Sequence, residues 1–207
     1  MLVQIVKLSI ERGGLLLQGE AGTGKTEIIK FISTKVEENK KEYEKFIKKY
    51  DEDNPGVNPA VRTEVFTQWT NLNPCWIEKF APTNKAANDI GGQTIHCGLG
   101  LQMDDEDTDP DKVTAERTRI LISSIEGKGH TNQPGFMIVD EISMMGSNSW
   151  SILSYVQFIK PNVIFILCGD IERQIPPVKE EDRIFNNTIV MKELVHQSKV
   201  NLVYNYR

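Results

Sequence analysis

The feature that most constrains this chain lies near its start. A short apolar run, Leu15 to Gln18, breaks into Gly19–Thr26, GEAGTGKT, and is followed by a segment with helical spacing. Glycines at the first and sixth positions let the backbone fold back tightly, so that successive N–H groups converge on one point. The helix that follows adds the partial positive charge of its N-terminus. This strand–turn–helix is a cradle for phosphate. Gly19, Glu20, Ala21, Gly22, Thr23, Gly24, Lys25 and Thr26 are its expected nucleotide-binding residues. Lys25 is placed to reach β- and γ-phosphates, and the Thr26 hydroxyl to hold Mg²⁺. The expected ligands are ATP and Mg²⁺.

A phosphate loop needs a metal anchor and a group that acts on water. FMIVDEISMM supplies both: Asp140 and Glu141 end a continuous apolar run, Gly135 to Asp140, where ligands of parallel sheets gather. Asp140 is the expected metal residue and Glu141 the residue that polarises the attacking water. A third run, Val163 to Cys168, leads into GDIERQIPPV. There Asp170 and Gln174 follow a strand, and the Gln174 amide can sense a γ-phosphate.

These runs alternate with helical stretches, which predicts an α/β fold: a P-loop NTPase domain with a mostly parallel sheet flanked by helices. Strands are expected at Leu15 to Gln18, Ile77 to Pro82, Gly135 to Asp140, Val163 to Cys168 and Leu202 to Tyr206. Helices are expected from about Gly24 to Val36, from Asn84, over Ala115 to Ile125 and over Ser149 to Lys160. The Lys/Glu-rich stretch Glu37 to Tyr50 either prolongs the first helix or forms a solvated hairpin arm. Asp51 to Pro59 reads as a surface loop, and the acidic tract Asp104 to Asp111 as a solvated excursion. The length suits one domain over residues 1–207.

Composition narrows the setting. A net charge of −5 argues against a protein held to nucleic acid by a bulk positive field, and leaves room for a few local contacts. Cys75, Cys97 and Cys168 are odd in number and lack metal-ligand spacing, which suits a reducing, intracellular compartment. No apolar run approaches a membrane span, and the N-terminal segment lacks the basic start and cleavage site of an export signal.

Taken in order with FAPTNKAANDIGGQTIHCGLG, these motifs resemble superfamily 1 DNA helicases, in the branch holding the Pif and RecD-like enzymes. APTNKAA looks like the family's motif Ia and GGQTIH like motif Ib. DEISM looks like its acidic motif, and GDIERQIPPV like motif III with Ile175 in place of leucine. LVYNYR is similar to motif IV. The likeness runs from about Gly14 to Arg207. It implies catalytic roles for Lys25, Glu141, Gln174 and Arg207, with Arg207 contacting the γ-phosphate. It also implies a track for single-stranded DNA lined by Pro82, Thr83, Asn84, Lys85, Thr94 and His96. Hydroxyl, amide and cationic groups at a strand end can grip a phosphate backbone without reading bases. Read without the family pattern, His96 could equally be a hydrogen-bonded core histidine.

The sequence departs from the family in two ways. Leu2 stands at the spacing of the family's adenine-reading glutamine, and Gln4 is two residues too close to the loop. A second RecA-like domain, which such motors use to complete the ATP cleft, would begin after Arg207. The resulting expectation is an N-terminal motor domain that couples Mg·ATP hydrolysis to strand translocation and unwinding when joined to that partner domain, and that hydrolyses ATP weakly alone. The alternative is a stand-alone ATP-dependent nucleic-acid-binding module without unwinding activity. A P-loop kinase or GTPase is more distant, because no guanine-reading N-K-x-D segment or acceptor lid is apparent.

Overall fold

A computed structural model of the chain describes residues 1–101, 110–128, 133–170 and 189–203. Among these, six strands form one all-parallel sheet in the order β3-β2-β4-β5-β1-β6. The strands are β1 (Gly14–Gly19), β2 (Ile77–Ala81), β3 (Gln93–Thr94), β4 (Gly135–Val139), β5 (Val163–Gly169) and β6 (Lys199–Leu202). β4 and β5 are buried at every position, as the central strands of a sheet covered on both faces must be. Their alternate side chains feed two separate cores. Met137, Val139, Phe165 and Leu167 face one; Phe136, Ile138, Ile164 and Ile166 face the other.

The second core is closed by α1 (Leu2–Arg12), α2 (Lys25–Asp53) and the six-residue α4 (Asn84–Asp89). Ile5, Ile28, Ile29, Ile32, Val36 and Ala86 are their principal contributions, with Ile90 just past the end of α4. The first core lies under α6 (Pro110–Gly127), α7 (Ser147–Ile159) and α8 (Ile189–Leu194), with the short α5 (Ile95–Gly98) at its edge. Trp150 is fully buried there among Leu153, Val156 and Phe165.

The Lys/Glu-rich stretch does prolong the phosphate-loop helix. At 29 residues, α2 is roughly 43 Å long at 1.5 Å per residue, about twice the length of the strands it covers. Its second half pairs with α3 (Pro59–Leu72). Tyr43 and Phe46 stack on Trp69, Tyr50 meets Phe66 edge-on, and Arg62 lies over Phe66 while donating to both Asp51 carboxylate oxygens at 2.7 Å. The expected surface loop at Asp51 to Pro59 is therefore shorter. Asp51 to Asp53 remain helical, and Asn58 caps α3 by accepting the Ala60 N–H at 2.8 Å, with Pro59 opening the helix. The charged exterior of residues 37–53 masked the aromatic spacing that holds this arm together.

The last strand also moves. β6 is Lys199–Leu202, pairing with β1 from Leu16↔Lys199 to Gly19↔Leu202, upstream of the expected Leu202 to Tyr206. Residues 204–207, and with them Arg207, lie outside the described residues, as do Gln174 and most of the acidic excursion.

Candidate functional site

Gly19–Thr26 leaves the carboxyl end of β1 and turns into α2 as the glycine spacing requires. Gly22 and Gly24 take φ of 88° and 91°, which side-chain-bearing residues adopt only with strain, so the loop curls around its own amides. Thr23 braces the curl: its N–H and its hydroxyl both donate to the Glu20 carbonyl, at 3.3 and 2.8 Å. Lys25 is the first residue of α2, nearly buried, and its Nζ donates to the Gly19 carbonyl at 2.6 Å and the Glu20 carbonyl at 2.9 Å. The ammonium is thus held at the mouth of the loop.

Two strands away, β4 delivers Asp140 and Glu141 to the same edge of the sheet. Asp140 is buried, its N–H donating to the Phe80 carbonyl at 2.9 Å. Burial pushes its carboxyl above the ordinary range. A hydrogen bond from the Glu141 N–H, 2.9 Å from Oδ1, and the charge of Lys25 oppose that shift, while the charges of Glu141 and Asp89 reinforce it. Glu141 itself sits at φ 52°, a left-handed conformation rare for a side-chain-bearing residue. Strain of this kind costs about 1–3 kcal/mol and persists where the surroundings enforce it. Here the Asp140 carboxylate holds the Glu141 amide while Ile142 is fully buried behind it.

These groups face one cavity of about 680 Å³. Its walls are Ala21 to Ile28, Asp140 and Glu141, the α4 cap Thr83 and from α4 itself Lys85, Ala86 and Asp89, with Met1 and Leu2 completing the lining. Of the expected nucleotide residues, Ala21 to Thr26 line this cavity, and Gly19 and Glu20 present their carbonyls to Lys25. The donor set fits Mg²⁺: the Thr26 hydroxyl and the Asp140 carboxylate are hard oxygens, and a magnesium ion needs only one or two protein ligands when phosphates and water supply the rest.

The expected strand-track residues divide between two surfaces. β2 and β3 run side by side, with Ala81 opposite Thr94, so Pro82, Thr83 and Thr94 emerge together at the edge that carries the phosphate loop. Thr83 and Thr94 each spend their hydroxyls as helix caps, accepting the N–H of Ala86 at 3.2 Å and of Cys97 at 3.3 Å. Asn84 and His96 are exposed, which removes the core-histidine reading of His96. Thr83 and Lys85 also form part of the wall of the phosphate-loop cavity.

Two lining residues fall outside the expected set. Asp89, one helical turn beyond Lys85, faces the same cavity; the i, i+4 spacing was the available signal. Gln4 lines an apolar recess of about 300 Å³ beside the loop, formed with Ile5, Leu8, Thr23 and Val200 to Val203. Leu2, at the spacing where the family resemblance puts a glutamine, instead lines the phosphate cavity. Only the pairing of β6 with β1 creates the recess, so its existence could not be read from the residues around Gln4.

A family model described as an AAA domain matches residues 3–180. The chain belongs to that AAA-domain family. No curated protein matches it significantly. Among solved structures it is similar to the Pif1 helicase of Candida albicans, at 19% identity and a TM-score of 0.63, over 99% of this chain and 39% of that one. It is also similar to a Bacteroides Pif1 helicase in complex with ADP-AlF3 and single-stranded DNA, at 20% identity and a TM-score of 0.53, over 99% and 42%. An unliganded Pif1 from Bacteroides sp. matches at 18% identity and a TM-score of 0.52, over 100% and 41%. The domain therefore has the RecA-like fold found within Pif1 helicases and spans about two fifths of their length. Among the described residues no helix is long and apolar enough to cross a membrane.

Proposed function

We propose that the chain is an ATP-binding motor domain of a superfamily 1 DNA helicase, which couples Mg·ATP hydrolysis to movement along single-stranded DNA when joined to a second RecA-like domain. One observation carries this reading. A single cavity joins a glycine cradle, a lysine, a hydroxyl and two carboxylates, and its α4 wall continues the edge from which Pro82, Asn84, Thr94 and His96 emerge. In the Bacteroides Pif1 complex that shares this fold, the bound molecules are ADP-AlF3 and single-stranded DNA.

In the proposed reaction the loop amides and Lys25 bind the β- and γ-phosphates of ATP, and Thr26 and Asp140 hold Mg²⁺. The metal supplies charge compensation for the phosphates when bound. Glu141, held at the end of β4, orients water and accepts its proton. The apolar recess beside Gln4 takes the base. Closure of a second domain over the cavity completes the charge around the γ-phosphate and shifts the strand.

The decisive experiment is a strand-displacement assay on 5′-tailed and 3′-tailed duplexes, run on residues 1–207 and on a version carrying a second motor domain. We expect Mg·ATP binding and slow, weakly DNA-stimulated hydrolysis from the 207-residue chain, with no strand separation. The two-domain version should unwind 5′-tailed duplexes. Robust unwinding by the single domain as a monomer would refute the half-motor reading. A preference for 3′ tails would refute the Pif/RecD-like assignment, and ATP-gated DNA binding without unwinding in the two-domain version would favour a binding module.

A further inference from the structure

Charge is unevenly distributed in the nucleotide cavity. Its described lining carries four carboxylates (Glu27, Asp89, Asp140 and Glu141) but only two lysines, Lys25 and Lys85. A triphosphate entering such a site meets a net negative wall, so the position of each cation matters more than in a basic cleft. Lys25 stands at the mouth of the phosphate loop. Lys85 comes from the opposite side, on α4, where Ala86 and Asp89 also line the cavity and the exposed Asn84 and Asn88 do not.

The sheet order fixes where Lys85 stands relative to the phosphate loop. Reading across the carboxyl edge, the apolar recess lies over β6 and β1 and the phosphate loop follows β1. Asp140 and Glu141 follow β4, and α4 follows β2, the next strand out. A nucleotide with its base in the recess and its phosphates on the loop points its terminal phosphate toward β4 and β2. Lys85 stands at that end. It is solvent-exposed, and among the described residues it has no ion-pair partner.

We propose that Lys85 is a terminal-phosphate contact, a specificity-determining residue by which the domain tells ATP from ADP, rather than a fixed grip on the DNA backbone. The proposal rests on the nucleotide reading above. It also gives α4 a coupling role: one short helix begins at the strand-track residues and carries, on its inner face, a cation whose position depends on the γ-phosphate. Strand binding at Asn84 and phosphate binding at Lys85 then bias the same six-residue element.

The test uses the 207-residue chain and its Lys85→Ala, Lys85→Arg and Asn88→Ala variants, with far-UV circular dichroism as the folding control. Binding of fluorescent ADP and of a fluorescent non-hydrolysable ATP analogue is titrated with Mg²⁺, and binding of a labelled oligo-dT is measured across a salt series. Lys85→Ala should weaken triphosphate binding tenfold or more, with diphosphate binding changed less than threefold. Lys85→Arg should recover most of the triphosphate preference, and Asn88→Ala should match wild type. An unchanged triphosphate-to-diphosphate ratio in folded Lys85→Ala overturns the proposal. If that unchanged ratio comes with a salt slope shallower by about one phosphate contact, Lys85 belongs to the strand track instead. Wild-type protein that binds neither nucleotide would sink the nucleotide site itself, a failure distinguishable from that of Lys85 alone.

Discussion

Replacing Lys25 with alanine tests the phosphate cradle at its most exposed assumption. In the fold described, the ammonium donates to the Gly19 and Glu20 carbonyls and must release both to reach a nucleotide. Hydrogen bonds to a charged group contribute about 1.5–3 kcal/mol each, so release costs about 3–6 kcal/mol. Against this, a unit charge 4 Å from another gains about 4 kcal/mol at an effective dielectric constant of 20. A lysine bridging two phosphates gains about twice that. The difference leaves about 2–5 kcal/mol of binding dependent on Lys25, a loss of roughly 30-fold to more than 1,000-fold in Mg·ATP affinity when it is removed. Hydrolysis should become undetectable, because the lost charge also stabilises the transition state. The fold should survive: Lys25 begins α2, where alanine is an excellent helix former, and its side chain belongs to neither apolar core. Fluorescent-nucleotide titration and phosphate release, read beside far-UV circular dichroism, give the answer. A folded Lys25→Ala protein that binds Mg·ATP within threefold of wild type and turns it over at the same rate would refute the reasoning.

Three further outcomes follow from named contacts. Glu141→Gln keeps the shape and backbone demand of that left-handed position but removes the proton acceptor. In a two-domain protein it should bind ATP normally and hydrolyse it about 10²–10⁴-fold more slowly; wild-type turnover there would reassign the water-activating role. Gly135→Ala should destabilise the fold by about 1–3 kcal/mol in a urea melt, because a Cβ at Gly135 would overlap the buried Trp76 ring, whose Nε1 is committed to the Gln133 carbonyl at 2.8 Å; an unchanged midpoint would show that Trp76 repacks freely. Burial raises the Cys75 thiol from 9.0 to about 11, whereas Cys97 is exposed. A thiol reagent at pH 8 should label Cys97 first, with Cys75 present as thiolate at only about one part in a thousand, and rapid modification of Cys75 in the folded chain would contradict its packing. Because the folded-state value of Cys75 lies above the unfolded one, this group also favours unfolding as pH rises from about 9 to about 11.

The placement of the candidate site was legible in the sequence wherever it depends on short-range geometry. Six of eight loop positions, 21–26, line the cavity shared with Asp140 and Glu141, because a glycine-punctuated turn between a strand and a helix leaves the backbone little choice. Asp140 and Glu141 were placed equally well, since a fully apolar run can only be a buried strand whose first polar residues appear at its end. Tertiary structure alone decided what depends on strand order. Lys85 lies in a stretch that reads as a DNA grip, and because β2 packs beside β4 it also lines the cavity shared by the phosphate loop, Asp140 and Glu141. Gln4 reaches the recess only because β6 returns to pair with β1 from about 180 residues away. The α2–α3 arm likewise needed two helices to meet before its aromatic residues had anything to bury against. Local spacing specifies which chemical groups a segment can present. Which of them share a cavity is set by pairings distant in sequence, whose free energy comes from burying both faces of the sheet at once.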